Sequence, residues 1–285
     1  YFDLKKEVPA ALYKSSVKEK IRAFRKIIKE NGVDTVHTHF TDMKTDMCVN
    51  IACLGLRVKK FKHYRSSFGS FGTIKKFFAR LCYRSWNAVI CVSPHILREA
   101  DSNIVSCKPV LLNDAVYFPR MDNYEKLCKP DLGVPESAVL CFAIGYDYRL
   151  KGIDLACEAV KKLRDEGQNI YLAVCTASNT QTIAEQISAQ FGEFPEWLKL
   201  LPPRQDIASY YRAADIYIQA SRSEGFCYAI VEAAYCGKTV VASDCPGMKS
   251  HAEKNFDFLW FKNGDSDSLS EKLGQAVKMS ESSEL

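Results

Sequence analysis

The 285-residue chain predicts an α/β protein of two Rossmann-like domains joined by a linker. Three observations carry that expectation. Apolar runs of strand length alternate with amphipathic helical stretches in both halves, which implies parallel strands in layered sheets. The alternation lapses between Asp114 and Pro135, where three prolines interrupt "DAVYFPRMDNYEKLCKPDLGVP", a linker signal. The length suits two domains of ordinary size better than one. Boundaries follow at 1–113, 114–135 for the linker leading into the second domain, and 136–285.

In the first domain, Ser16 and Glu19 form a capping box. Val17, Ile21, Phe24 and Ile28 then recur at helical spacing until Gly32 stops the helix. "VDTVHTH" reads as a strand, "MCVNIACLGL" as a helix, "NAVICVS" as a second strand and "KPVLLN" as a third. The second domain opens on the strand "AVLCFAIG". In "GIDLACEAVKKLRDEG", Ile153, Ala156, Cys157, Val160 and Leu163 make one apolar stripe, and Gly167 closes the helix. The strand "NIYLAVC", helices "TIAEQISAQF" and "DIASYYRAA", the strand "DIYIQA", a helix near Tyr228 and the strand "TVVAS" complete the unit.

Composition excludes several classes. The chain is 47% hydrophobic and 26% charged, enough apolar residue for real cores and unlike a disordered tail. No run reaches the roughly 18 apolar residues of a membrane-spanning helix. The chain opens on Tyr1 rather than methionine, and no signal peptide is visible. None of the twelve cysteines has C-x-x-C spacing, and several sit in apolar runs. That pattern suits free thiols in a reducing cytoplasm. Met47 to Arg98 contains no Asp or Glu but carries ten Lys and Arg, interleaved with aromatics. The segment is expected to face something anionic, against the plain alternative of a solvated basic face over buried aromatics.

Ligands of open parallel sheets bind where strand carboxyl ends feed helix N-termini, and three stretches qualify. "FAIGYDYRLKGIDLA" sets Arg149 and Lys151 before a helix opened by Gly152, a candidate phosphate site; a solvated glycine turn reads the stretch equally well. There is no Walker lysine motif and no G-x-G-x-x-G. "SRSEGFCYAIVEAAYCGKTVVASDCPG" places Glu224 before a helix and Glu232 eight positions on. Carboxylates repel phosphate but accept hydrogen bonds from paired hydroxyls such as those of ribose and hexose. Capping and solvation are the plain alternatives for this pair. In "VHTHF", His37 and His39 share one strand face. No nearby carboxylate or cysteine completes a metal-ligand set in the sequence, and a polar histidine at a strand end, or a hydrogen-bonded structural one, is the expectation.

The glutamate stretch, together with "VDTVHTHF", "VICVS", "VLLNDAVYF" and "IGYDYRLKGIDLACEAV", resembles the retaining nucleotide-sugar glycosyltransferases of family 4. The resemblance covers nearly the whole chain from about Ser16 to "GDSDSLSEKL"; the glutamate motif is its specific part. It implies the GT-B fold, two Rossmann-like domains facing a cleft. It also implies that part of the first domain, about 80 to 100 residues judged from usual domain sizes, is missing from this chain.

The roles it implies are these. Glu232 holds the ribose, with the loop around Arg204 near the base. Glu224, with the turn Gly225–Phe226–Cys227, holds the donor sugar through its carboxylate and the Phe226 and Cys227 amides. Tyr228 and Ala229 amides, with Arg149 and Lys151, meet the diphosphate. His39 approaches the donor sugar from the other domain. No metal and no cofactor are implied, the donor being a UDP- or GDP-sugar. Transfer proceeds with retention, to a glycan or lipid-linked acceptor in polysaccharide or glycolipid synthesis. Two departures from the family pattern stand out: Tyr146 follows the strand glycine where arginine is usual, and Cys227 replaces the commonest glycine.

Arg65, Lys75, Lys76 and Arg80 are assigned to the acceptor, or to an anionic membrane surface. The expected location is cytoplasmic, with peripheral attachment at the inner face of the membrane. The rival readings are a sugar-nucleotide epimerase on the same fold, a non-catalytic sugar-nucleotide-binding relative, and a basic module for single-stranded nucleic acid. The last leaves the glutamate pair unexplained, so no nucleic-acid partner is expected.

Overall fold

The computed structural model describes residues 15–39, 42–65, 72–101, 106–176, 179–252 and 257–283. Among these, chain contacts separate two units, Tyr1–Asp114 and Ala115–Leu285. The segment from Ala115 to Pro135 therefore belongs with the second unit.

The first unit runs α1 (Val17–Glu30), β1 (Thr35–Thr38), α2 (Met43–Ala52), β2 (Lys59–Tyr64), α3 (Thr73–Tyr83), β3 (Ala88–Cys91), α4 (Pro94–Asp101) and β4 (Pro109–Leu111). Its four strands lie parallel in the order β1-β2-β3-β4. Ser16 caps α1 and Glu19 returns the bond to the Ser16 backbone, the expected capping box.

Strand β2, "KKFKHY", is absent from the sequence-based reading, and it changes what the basic segment means. Lysines suppress the apolar pattern of a strand, yet Lys60 and Lys62 are 7% and 1% exposed. Both side chains leave the same face of β2. Lys60 Nζ donates to Asn50 Oδ1 and Ser85 Oγ, each at 2.7 Å. Lys62 Nζ lies 2.8 Å from Asp46 Oδ2. Asp46, fully buried on α2, also accepts from Thr38 Oγ1 and the Tyr83 hydroxyl at 2.9 Å each. Burial pushes Asp46 above the usual carboxylate value, with Lys62 pulling it back. Tyr64, Tyr83 and Trp86 are core residues. The expectation of one continuous anion-facing segment is thus corrected: its middle is a buried strand, with ammonium groups neutralised or hydrogen-bonded internally. Phe68 and Phe71 lie outside the described residues.

The second unit begins with two short 3-10 turns, Phe118–Met121 and Pro130–Leu132. It continues β5 (Val139–Ile144), α5 (Ile153–Asp165), β6 (Ile170–Cys175), α6 (Thr180–Phe191), β7 (Leu198–Leu201), α7 (Ala208–Ala213), β8 (Ile216–Gln219), α8 (Tyr228–Tyr235), β9 (Thr239–Ser243), α9 (Pro246–Ala252), β10 (Leu259–Phe261) and α10 (Ser266–Ser283). The six strands are parallel in the order β10-β9-β8-β5-β6-β7. The five residues of the α5 stripe are all buried and share one core with β5, β6 and β8. Strand β7, "LKLL", is also missing from the sequence-based reading, being four residues long with a lysine inside it.

The strand order positions the site. From β5 the chain builds outward through β6 and β7, then returns to the other side of β5 as β8 and builds outward again. Connections leaving β5 and β8 therefore diverge, opening a crevice at their carboxyl ends, where ligands of such sheets bind.

All twelve cysteines are free thiols, as their scatter in the sequence predicts. Among the described residues no helix is long and apolar enough to cross a membrane.

The Lys62–Asp46 pair gives a test of the corrected strand. Lys62→Met leaves a carboxylate buried without its cation and should cost about 3–5 kcal/mol of unfolding free energy, whereas Lys62→Met with Asp46→Leu should recover most of that loss. Urea titration of both variants measures it. Equal losses in the single and double variants would contradict the internal pairing.

Candidate functional site

At the β5/β8 crevice the two loops are stitched together by their backbones. The Arg222 amide donates to the Leu150 carbonyl at 2.9 Å. The approach is close enough to require glycine. Gly152 has φ +66°, and a Cβ there would stand 1.9 Å from the Ala220 carbonyl oxygen. On the other flank, a Cβ on Gly247 of α9 would stand 1.8 Å from the Glu224 carbonyl oxygen. The glycine in "CPG" is thus a wall of the glutamate loop, which the sequence motif spans without explaining.

Lys151 Nζ and Glu224 Oε1 meet across this seam at 2.7 Å. Both side chains are largely buried. Burial works against the lysine's charge, but Glu224 outweighs it and holds Lys151 above its ordinary value. The same glutamate oxygen accepts from Ser221 Oγ at 2.6 Å and Gln219 Nε2 at 3.2 Å. Gln219 Nε2 also donates to Ser221 Oγ, and the Tyr217 hydroxyl to Gln219 Oε1. A polar chain from Tyr217 to Lys151 thereby fixes the glutamate's rotamer. Nothing in the spacing of the motif points to Gln219 or Ser221; both come from β8 and its exit, which the fold aims at the crevice.

Helix α8 starts beside this pair. Its N-cap, Cys227, has φ +61°, the sole positive value among the described residues other than glycine, and its side chain makes no N-cap hydrogen bond. The first turn of a helix leaves such donors for a ligand. Burial, then the neighbouring Glu224, pushes the Cys227 thiol well above its ordinary range, so it stays protonated and is no nucleophile. The Phe226 carbonyl is in hydrogen-bond contact with the buried His251 ring of α9. Glu232 lies in the second turn of α8 rather than the first. It is 5% exposed, paired with Arg120 and reached by the Tyr211 hydroxyl at 3.3 Å. Arg120 comes from the stretch read as linker, where nothing in the sequence marks it as part of a site.

Two assigned cations have other partners. Arg149 Nη1 lies 2.7 Å from Asp154 Oδ2, a carboxylate it shares with Arg222 at 2.8 Å. The Arg149 and Leu150 amides donate to Asp147 Oδ1. The structure brings Lys151 to Glu224 and does not bring Arg149. Lys151 also sits 5.2 Å above the Tyr146 ring, so the aromatic in the place of the family's arginine supports the lysine. Arg204 is held by Asp206 and Glu125, with Nη2 at 3.0 Å and 2.5 Å from them.

In the first unit, His37 and His39 are joined by a third imidazole, His63, that the sequence reading does not select. The parallel register pairs Thr38 with Lys62. Those two side chains share the inner face with Asp46, so the residues on either side, His37, His39 and His63, share the opposite face. Ring centroids are 4.5, 4.9 and 5.4 Å apart. Burial lowers all three basicities. His39 falls to about 4 through burial, then through its two neighbouring imidazoles, Arg65 and Lys62. The rings are neutral at pH 7.

Residues 128–284 match the family described as Glycosyl transferases group 1. The chain belongs to that family.

The N,N'-diacetylbacillosaminyl-diphospho-undecaprenol alpha-1,3-N-acetylgalactosaminyltransferase of Campylobacter jejuni is 38% identical over 73 residues, 26% of this chain and 19% of that protein. The D-inositol 3-phosphate glycosyltransferase of Corynebacterium kroppenstedtii is 31% identical over 140 residues, 46% of this chain and 31% of that protein. The chain spans about a fifth to a third of the length of these curated relatives. Anabaena HepE, solved with UDP and glucose, superposes with a TM-score of 0.73 over 97% of this chain and 74% of its own, at 17% identity. The fold is that of the GT-B glycosyltransferases, as the sequence resemblance implies.

Proposed function

We propose that the chain transfers a sugar, with retention and without a metal in the chemical step, from a nucleoside diphosphate sugar to a glycan or lipid-linked acceptor. The observation that carries this reading is the Lys151–Glu224 pair at the β5/β8 switch point, beside the N-terminus of helix α8. A sugar diphosphate needs all three features together. Glu224 would exchange its lysine for donor-sugar hydroxyls, Lys151 would neutralise the departing diphosphate, and the Tyr228 and Ala229 amides would hold its oxygens. Glu232 would share its carboxylate between Arg120 and the ribose. Arg204, in a loop that follows an edge strand, would border the base through its Asp206 and Glu125 partners. His39 keeps the donor-sugar role the family implies. HepE, solved with UDP and glucose, and the transferase named for a diphospho-undecaprenol acceptor favour a UDP-sugar and a lipid-linked acceptor.

An epimerase on the same fold would bind the same donor but need no acceptor. Calorimetry with UDP-, GDP- and ADP-sugars tests the donor reading. One class should bind, and Glu232→Ala should weaken it about tenfold or more, the scale of a lost hydrogen bond to a charged group. Unchanged affinity in that variant would refute the ribose assignment. No donor binding, with tight salt-sensitive RNA binding instead, would overturn the whole reading.

The membrane reading narrows to α3. Ile74, Phe77, Phe78 and Leu81 are 75%, 65%, 41% and 55% exposed on a helix that also carries Lys75, Lys76 and Arg80. Apolar side chains interleaved with cations suit an interface of anionic lipid. Arg65 is engaged with Asp114 at 2.7 Å and is less suited to this role. Sedimentation with liposomes should depend on anionic lipid and be lost when Lys75, Lys76 and Arg80 are neutralised; retention of binding in that variant would refute it.

A further inference from the structure

The donor reading uses His39 alone of the three imidazoles on the first sheet, and leaves His37 and His63 unexplained. One ligand nitrogen from each of the three lies within 4.8 Å of the other two. Nitrogens on one tetrahedral zinc ion, each about 2.0–2.1 Å from the metal, stand roughly 3.4 Å apart. The cluster therefore needs to close by little more than about 1 Å, a displacement within reach of side-chain rotation at the exposed His37 and His39.

His63 supplies the independent evidence. Its side chain is 10% exposed, and neither ring nitrogen has a hydrogen-bond partner. Leaving a polar atom buried without a partner is costly, so its retention calls for a ligand. Asp114 Oδ1 stands 3.8 Å from His63 Nε2, and Arg65 anchors that carboxylate. With Nδ1 facing a metal, Nε2 would carry its proton toward Asp114. A carboxylate behind a metal-bound imidazole commonly fixes its tautomer in this way.

The bases of the three side chains are also fixed. Both strands are locked in parallel register by β1–β2 pairing, and the buried Asp46 holds Thr38 and Lys62 from behind. No cysteine belongs to the group, so the donor set is imidazole nitrogen only, which favours zinc, nickel or copper over magnesium or calcium.

We propose that His37, His39 and His63 form a three-imidazole binding site for a divalent transition-metal ion of the zinc type. The site lies within the first unit, does not rest on the donor reading, and assigns the metal no part in sugar transfer.

Cobalt(II) titration of the whole chain, under reducing conditions, tests this. The expected result is one saturable equivalent per chain with visible ligand-field bands and no thiolate charge-transfer band. His37→Ala and His39→Ala should each weaken binding about tenfold or more, and zinc should displace the cobalt. His37 is exposed, so its variant keeps the fold, which circular dichroism checks. A thiolate band would place the ion on cysteine and overturn the proposal. So would affinity unchanged in both variants, or no saturable binding. Loss of donor affinity in His39→Ala without any cobalt binding would assign the cluster to the sugar and reject the metal. Cobalt binding with no nucleotide-sugar binding would leave the metal site standing and reject the donor reading.

Discussion

The backbone contact between the β5 and β8 loops is the constraint on which the rest of the site depends. Two parallel strands leave adjacent ends, and their loops must separate to reach helices on opposite sides of the sheet. They nevertheless touch, because Gly152 has no Cβ to meet Ala220 and the Arg222 amide bonds to Leu150. Gly247 admits the Glu224 backbone from the far side in the same manner. Without these approaches Lys151 and Glu224, 73 positions apart in the chain, would not meet. Their pairing in turn draws in Ser221 and Gln219 and aligns the carboxylate beside the α8 amides. Close backbone packing, more than the charge pair itself, builds the site.

The charge pair has a second effect. Each partner is largely buried, and because they pair, neither charge is left without a counter-charge in a site of low polarity. On the proposed donor reading, incoming diphosphate would replace Glu224 as the partner of Lys151 only by offering equal or greater negative charge, and incoming hydroxyls would have to satisfy the freed glutamate. A nucleotide without its sugar would meet the first demand and fail the second, which would favour the complete donor over its product.

Much of the fold was legible in the sequence because apolar strands and amphipathic helices leave periodic traces. Helices α1 and α5 declared themselves by a capping box and a five-residue stripe. Of the strands missed, "KKFKHY" and "LKLL" carry lysines where the reading expects apolar residues, and "LWF" (β10) is only three residues long. In β2 the reason is physical: Asp46, Asn50 and Ser85 supply inward-facing partners that no local pattern reveals. The glutamate motif marked Glu224 and Glu232 as candidates, yet their neighbours Gln219, Arg120 and Gly247 come from other elements and are set by strand order. His63 escaped for the same cause. It stands alone in the sequence and joins His37 and His39 only through parallel register.

The central claim, that donor binds where the β5 and β8 loops are stitched, is tested most directly by hydrogen–deuterium exchange with and without a saturating nucleotide sugar. Protection should concentrate in residues 145–152 and 221–231, the two loops and the first turns of α8. Saturable binding with protection confined to other segments would contradict the account.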